Sequence, residues 1–317
     1  MKTVRWMRPA AAAVLFLAGC KTTEPEETTP VSWNEQQRYL QRISDPRIFG
    51  LHIYETPGGP QIRGGGRLHP GKAEALPMKV EAPLRPVVGM KGSFGIQWPV
   101  LLDCTASMST MEFDTALKAG ARPIGEQETP QMIRRPGEEV TSCASIMPSL
   151  KLGQLSVENA LISVRFANGP IGKMARGMDD PVIKGVVGWN VLEKLAQIQF
   201  LYSAERVILK TTDSYTPNPS RLVAQLPLVQ HVGACAVRAA VNGKRTLVLI
   251  DPAGDFEVAA DNAVSSLVLG NNLRFLNPPV SPSPGGVRIG ARLLENYRLT
   301  ICPKAGVVYF ETKMIEQ

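Results

Sequence analysis

An internal repeat is the feature of this 317-residue sequence that most restricts its fold. The segments PVLLDCTAS at 99–107 and LVLIDPAGD at 247–255 both place an aspartate, Asp103 or Asp251, between an apolar run and a group of small residues. A short continuous apolar run that is bounded by turn residues predicts a buried β-strand. Each aspartate is therefore expected at a strand end, and the repeat predicts two similar structural units.

A second pair of segments repeats in the same order. The segments VVGWNVLEKLAQIQFLYSAERVIL at 186–209 and RIGARLLENYRLTICPKAGVVYF at 288–310 run from apolar residues through a glycine into a short helix and a closing hairpin. The aligned positions are Gly188, Leu192 and Glu193 with Gly290, Leu294 and Glu295, and then Ile198, Phe200, Val207 and Leu209 with Leu299, Ile301, Val308 and Phe310. The two copies flank residues 211–221, which are rich in Thr, Ser, Pro and Asn, as is typical of a linker.

This arrangement resembles the retropepsin-like and pepsin-like aspartic proteases over residues 85–317. Those proteins have a strand that ends in Asp-Thr-Gly-Ala-Ser, then Gly-x-Asp-x-Leu at the start of a helix, then two closing strands. The first motif is here Asp103-Cys-Thr-Ala-Ser107 and Asp251-Pro-Ala-Gly-Asp255, and the second is Gly188-Trp-Asn-Val-Leu192 and Gly290-Ala-Arg-Leu-Leu294. The resemblance implies a mainly β fold: a two-lobed, acid-protease-like β-barrel pseudo-dimer with few short helices.

The chemistry of that family accounts for an aspartate at each strand end. Two adjacent carboxylates share a proton because like charges that close do not both ionise. The ionised partner takes a proton from a water molecule, and the protonated partner donates a hydrogen bond to the substrate carbonyl. The resemblance assigns this catalytic pair to Asp103 and Asp251. The alternative is that each aspartate only caps its own turn.

Both copies depart from the family's first motif. The family's threonine donates its hydroxyl across the lobe interface, whereas Cys104 and Pro252 stand in its place, and neither side chain is a good donor. The family's glycine gives the turn its backbone freedom, whereas Thr105 is β-branched and Ala253 carries a Cβ. These departures argue against efficient proteolysis, because catalysis needs tightly held carboxylates.

The resemblance also implies substrate contacts outside the aspartates. Alternating polar and apolar residues on both sides of Gly153 and Gln154 predict a hairpin, which we expect to act as a flap over the cleft between the lobes. Ser107 and Asp255, the last residues of the two aspartate motifs, are the other predicted substrate-binding residues.

The N-terminus predicts export and lipid attachment. Basic residues precede a short apolar stretch that ends in Leu-Ala-Gly-Cys20, which is too short to span a bilayer and resembles the lipobox of bacterial lipoproteins. The resemblance implies cleavage before Cys20 and acylation of its thiol. Lys21 favours the outer membrane over the inner membrane, facing the periplasm. An ordinary secretory leader is the alternative.

The predicted domain order follows from these features. Residues 1–19 form the signal peptide, 20–50 a tether with a short helix that Ser32 and Glu35 cap, 51–210 the N-terminal lobe with its flap, 211–221 the linker, and 222–317 the smaller C-terminal lobe. The formal charge of +7 comes without a basic stripe of interleaved aromatics, which argues against nucleic-acid binding.

Cysteine and histidine usage restricts the remaining chemistry. Cys104, Cys143, Cys235 and Cys302 are expected to form two disulfides, one in each half of the chain, or to remain four buried thiols. The sequence contains only three isolated histidines and no Cys-x-x-Cys motif, so we predict no metal site and no cofactor.

Three functions are compatible with these observations. The first is an envelope lipoprotein that acts as an aspartic endopeptidase on peptide or protein substrates. The second is the same fold without catalysis, which binds a peptide or protein partner in the cleft. The third is a structural envelope lipoprotein. Two lobes in one chain make a monomer the expected state.

Overall fold

Two β-sheets with the same strand order form the two lobes of the molecule. The computed structural model describes residues 28–54, 61–78, 85–126, 129–133, 140–169, 171, 183–212, 215–229 and 233–313. The predicted signal peptide and the predicted lipid attachment site at Cys20 lie outside the described residues. Strands β1–β28 and helices α1–α4 are numbered here in chain order.

The N-terminal sheet contains nine strands in the order β12-β13-β6-β7-β16-β8-β14-β4, with β9 paired to β13. Their bounds are β4 Arg67–Leu68, β6 Val87–Lys91, β7 Gln97–Leu102, β8 Ser109–Glu112, β9 Arg122–Pro123, β12 Met132–Ile133, β13 Ser142–Leu152, β14 Leu155–Arg165 and β16 Gly185–Val187.

The C-terminal sheet contains seven strands in the order β24-β23-β20-β21-β26-β22-β25. Their bounds are β20 Ala236–Val241, β21 Lys244–Asp251, β22 Val258–Ala260, β23 Ser266–Leu269, β24 Leu273–Leu276, β25 Val280–Pro282 and β26 Val287–Gly290. The order β20-β21-β26-β22-β25 repeats β6-β7-β16-β8-β14, and in both sheets the strand before the glycine runs parallel to the strand that ends at the aspartate.

A six-stranded antiparallel sheet joins the lobes in the order β19-β28-β27-β17-β18-β5. Its bounds are β5 Ala73–Pro77, β17 Gln197–Leu201, β18 Arg206–Lys210, β19 Leu222–Pro227, β27 Tyr297–Cys302 and β28 Val307–Thr312. Phe200 and Val207 are cross-strand partners, and the aligned Ile301 and Val308 are partners in the second copy. The sequence repeat is therefore a structural repeat.

The outer strands of this sheet extend the repeat beyond the aligned segments. Leu76 and Pro77 in β5 pair with β18 as Leu226 and Pro227 in β19 pair with β28. The core extends from both lobes into this sheet and includes Trp189, which follows the first glycine and is buried. The fold is thus the predicted mainly β, two-lobed pseudo-dimer.

The remaining elements are short. The paired strands are β1 Thr29–Pro30 with β15 Ala167–Asn168, β2 Leu51–Tyr54 with β3 Gln61–Gly64, and β10 Gly125–Glu126 with β11 Thr129–Pro130. The helices are α1 Trp33–Leu40, α2 Phe113–Lys118, α3 Trp189–Leu192 and α4 Ala291–Leu294, with 3₁₀ turns at Pro46–Phe49 and Tyr202–Ala204. Ser32 and Glu35 form the predicted capping box of α1. No helix in the described ranges is long and apolar enough to cross a membrane.

The segment predicted as a linker is held by hydrogen bonds where it is described. The Tyr215 hydroxyl and the Asn218 amide both donate to the buried Glu311 carboxylate on β28. The Thr211 amide donates to the Lys72 carbonyl. These contacts hold the start of the segment beside β5 and its middle against β28.

Candidate functional site

Asp103 lies at the end of β7 and caps the turn that follows. Its Oδ1 accepts hydrogen bonds from the Thr105 amide at 2.7 Å, the Thr105 hydroxyl at 2.8 Å and the Ala106 amide at 3.0 Å. Thr105 is not among the residues with positive φ, so it forms this turn without the strain expected from its β-branch. Asp103 therefore caps its own turn, and the residue is 2% exposed.

Asp251 ends β21 in the matching place and is 0% exposed. A Cβ on Gly254 would lie 2.8 Å from Asp251 Oδ2 and 2.4 Å from Phe256 Cε1, so this turn requires a glycine. Ala253 packs into an apolar cluster from the other lobe that includes Leu101 and Val186. The turn of Asp251 is thus buried against the N-terminal lobe.

The two turns contact the opposite lobe through backbone carbonyls. The Cys235 amide donates to the Cys104 carbonyl at 2.7 Å, and the Tyr202 hydroxyl donates to the Pro252 carbonyl at 3.1 Å. Burial raises the pKa of Tyr202 well above its usual value, so the hydroxyl stays protonated and remains a donor. The side chains of Cys104 and Pro252 cannot replace the family's threonine, but their carbonyls are bonded across the interface.

Proline at position 86 explains why the two contacts use different donors. The Ile250 amide bonds the Cys235 carbonyl at 2.9 Å, and the equivalent Leu102 amide bonds the Pro86 carbonyl at 3.0 Å. Pro86 therefore occupies the position that Cys235 occupies in the second copy. Because proline has no N–H, it cannot bond Pro252 as Cys235 bonds Cys104, and the Tyr202 hydroxyl does so instead.

The two glycines of the second motif lie against the aspartate turns. A Cβ on Gly188 would lie 2.7 Å from the Ala106 carbonyl oxygen, and a Cβ on Gly290 would lie 2.6 Å from that of Gly254. The following amides, those of Trp189 and Ala291, donate to the same two carbonyls, each at 2.7 Å. Close backbone approach, rather than an unusual φ, requires glycine at both positions.

The residue two places after each glycine ties the helix to its lobe. Asn190 Oδ1 accepts from the Ser109 amide at 2.8 Å, and its Nδ2 donates to the Leu161 carbonyl at 2.8 Å. The family's aspartate would lack that donor. In the second copy Arg292 instead binds Asp255 through two bonds of 2.8 and 3.1 Å. Asp255, predicted to contact substrate, is engaged in this ion pair.

Arg288 is a residue of the site that the sequence analysis missed. It occupies the position of Val186 in the first copy, and its guanidinium lies 5.9 Å from the Phe256 ring centroid. Burial lowers the pKa of Arg288, and the negative charges of Asp103 and Asp261 oppose that decrease. The sequence signal that could have identified Arg288 is its positive charge, because the aligned position of the first copy holds the apolar Val186.

The predicted flap residues lie away from the aspartates. Ile162 of β14 pairs with Ser109 of β8, the strand that follows the Asp103 turn. The hairpin turn precedes β14, and its distance from Ile162 along the strand is seven residues, or about 20 Å. At that end the Gln154 amide donates to Glu74 of β5 at 3.2 Å. The structure therefore does not bring Gly153 and Gln154 to Asp103 and Asp251, because the hairpin points towards the six-stranded sheet.

Ser107 is exposed and faces the C-terminal lobe. A Cβ on Gly233 would lie 3.4 Å from its Cβ. The side chains of Asp255 and Phe256 on the opposite turn, and of Arg288 on β26, are partly exposed. The tips of the two turns are therefore accessible, while the two predicted catalytic carboxylates beneath them are buried.

The four described cysteines are free thiols, and all are buried. The structure thus shows four buried thiols, which is one of the two predicted arrangements. It does not show the disulfides between Cys104 and Cys143 or between Cys235 and Cys302. Within the described ranges no group of three His, Cys, Asp or Glu side chains is placed to hold a metal ion.

Comparison with known proteins identifies the fold class. The crystal structure of basic 7S globulin from soybean, which has an acid-protease-like fold, is similar to this chain with a TM-score of 0.50. The sequences are 14% identical, and the match covers 78% of this chain and 96% of that chain. No family model and no curated protein sequence matches the chain. The similarity therefore shows a distant relationship in fold and nothing finer.

Proposed function

We propose that this protein is a lipid-anchored protein of the bacterial cell envelope whose two aspartate turns bind a peptide or protein partner without hydrolysing it. The observation that carries the proposal is the contrast in exposure at the site. Ser107 and Phe256 reach solvent on the two turns, and Arg288 does so on β26, whereas Asp251 is 0% exposed. A scissile carbonyl and a water molecule would both have to reach a carboxylate that no solvent contacts.

The hydrogen bonds of Asp103 support the same conclusion. Three donors from its own turn occupy Oδ1 and hold the carboxylate in a capping role. Arg288 adds a cation over an aromatic ring at the rim of the site. Such a pair offers charge and apolar surface to a bound peptide segment.

An aspartic endopeptidase is the second candidate. The observation in its favour is that Asp103 and Asp251 end equivalent strands, and that hydrogen bonds across the lobe interface hold both turns. This function requires a movement that exposes both carboxylates to substrate.

A cleavage assay separates the two functions. The full chain is incubated with an unfolded protein substrate from acid to neutral pH, beside Asp103→Asn, Asp251→Asn and, as a matched control, Asp114→Asn on the exposed surface of α2. We expect the wild type to release no more peptide than the Asp103→Asn and Asp251→Asn variants. Cleavage that both variants lose and Asp114→Asn retains would establish the endopeptidase instead.

Binding at the turn tips is tested by site-specific photocrosslinking. A photoreactive amino acid replaces Ser107 in the producing cell, and the control replaces Leu276, which is exposed in the same molecule. We expect adducts of a defined peptide or protein at position 107 and none at 276. Equal labelling at both positions would contradict the binding proposal.

The lipid anchor at Cys20 is tested independently of the cleft. Metabolic labelling with an alkyne fatty acid is expected to mark the wild type in the outer-membrane fraction and to be lost in Cys20→Ala. We propose a monomer, which light scattering of the detergent-solubilised chain checks. Labelling that persists in Cys20→Ala would refute acylation at this residue.

A further inference from the structure

A groove of about 530 Å³ on the N-terminal lobe combines exposed apolar side chains with two arginines. The turn between β6 and β7 contributes Phe94, which is 74% exposed, and the end of α2 contributes Leu117. Arg42, which follows α1, and Arg122 of β9 line the same groove. We call these four residues the anchor-side surface. Exposed apolar residues with a polar rim mark interaction sites.

The charged side chains that line this surface are positive, and Asp45, which follows the lining residue Ser44, is paired with Arg47 at 2.7 Å. Lys91 lies two residues before Ser93, which lines the groove, and is exposed, as are both arginines. The residues that line the groove include no acidic side chain. Asp114 belongs to the other flank of α2, where it lines a separate cavity. The anchor-side surface is therefore complementary to an anionic partner.

The described chain enters the N-terminal lobe next to α2, the helix that contributes Leu117 to this surface. Thr29 lines the cavity on the opposite flank of α2, together with Thr115 and Lys118. Nine residue steps separate Cys20 from Thr29, a reach of at most about 30 Å. Trp33, which begins α1 shortly after this point, is 70% exposed. A lipid on Cys20 therefore lies within about 30 Å of Thr29, a distance from which α2 can reach the bilayer.

We infer that the anchor-side surface docks on a bilayer that contains anionic lipids, with Phe94 and Leu117 in the headgroup region and Arg42 and Arg122 on the phosphates. Amphipathic surfaces of this kind bind through buried apolar area together with attraction to anionic lipid. The inference rests on the proposed lipid anchor at Cys20 and is independent of what the aspartate turns do. Docking would fix the orientation of the lobes relative to the membrane.

A fluorophore at position 94 tests the docking. The lipidated full chain carrying Phe94→Cys is labelled with an environment-sensitive dye, and the buried native thiols leave the new cysteine as the reactive one. The control is Leu276→Cys, which is 65% exposed on β24 of the other lobe. Both proteins are reconstituted into phosphatidylcholine vesicles with or without phosphatidylglycerol and with a lipid-borne quencher.

We expect quenching at position 94, stronger with phosphatidylglycerol, and none at position 276. Replacing Arg42 and Arg122 by Gln should lower the ratio of docked to undocked protein about fivefold for each charge removed. Arg238→Gln, an exposed cation on β20, is the matched control and should have no effect.

Three failures are distinguishable. Protein that floats with the vesicles but gives equal signals at positions 94 and 276 overturns the docking while the anchor stands. Protein that does not float with the vesicles overturns the anchor and the docking together. If quenching at position 94 depends neither on the lipid charge nor on Arg42 and Arg122, the proposal that the surface binds anionic lipids is overturned.

Discussion

Gln199 and Thr300 face each other at the centre of the sheet that joins the lobes, and Gln199 Nε2 donates to Thr300 Oγ1 at 2.8 Å. They are equivalent positions of the two repeats, because each lies between an aligned pair of apolar residues. Ile198 pairs with Ile301 on one side, and Phe200 pairs with Leu299 on the other. The pseudo-twofold axis thus passes between two polar side chains in a buried environment.

The costs of removing the two members of this pair should not add. In Thr300→Val the buried Gln199 amide loses its acceptor, which we expect to lower the free energy of unfolding by about 1–3 kcal/mol. Gln199→Leu should have a cost of the same order, and the double variant should cost less than the sum of the two. Urea unfolding of the four proteins measures the coupling, and strictly additive costs would contradict it.

Tyr202 should stabilise the contact between the lobes. Tyr202→Phe removes the donor to the buried Pro252 carbonyl and is expected to lower the free energy of unfolding by about 1–3 kcal/mol. The matched control is Tyr54→Phe, since Tyr54 is 48% exposed and should tolerate the change. Equal unfolding midpoints for Tyr202→Phe and the wild type would refute this role.

An aspartate at position 190, as in the aspartic proteases that the sequence resembles, should destabilise this protein. Asn190→Asp places a carboxylate against the Leu161 carbonyl, which we expect to cost about 1–3 kcal/mol at neutral pH. The cost should shrink in acid, where the protonated carboxyl can donate again. Thermal unfolding at both pH values measures the difference, with the exposed Asn272→Asp as control. A loss that is independent of pH would point to another cause.

The buried thiols should make the fold sensitive to alkali. Burial raises the pKa of Cys143 to about 12 and that of Cys302 to about 11. Unfolding exposes thiols that ionise above about pH 8.5, so the unfolded state then binds fewer protons than the folded state. The free energy of unfolding should therefore fall as the pH rises from about 8.5 towards the folded pKa values.

Denaturant titrations over this range measure that decline, which should be shallower in Cys143→Ala. Maleimide should label the native thiols far more slowly than the thiols of the urea-unfolded chain. Equal labelling rates in the two states would contradict the burial argument.

Much of the fold was predictable because the relevant signals are local or repeated. The apolar runs before Asp103 and Asp251 predicted the two strand ends, and the repeat predicted which hairpins would close the sheet. The hairpin at Gly153 was also predicted, because its alternation is a short-range pattern. The direction in which this hairpin points was not predicted, because the sequence of a hairpin does not specify which sheet its turn contacts.

The sequence alone determined the duplicated fold and the matched positions of two aspartates, because apolar periodicity and turn residues act within a few positions of one another. Only the tertiary structure decided what surrounds those aspartates. The donors to the Cys104 and Pro252 carbonyls, the cation of Arg288 and the burial of Asp251 all come from residues remote in sequence. Their positions depend on how the two lobes pack, which no local pattern specifies.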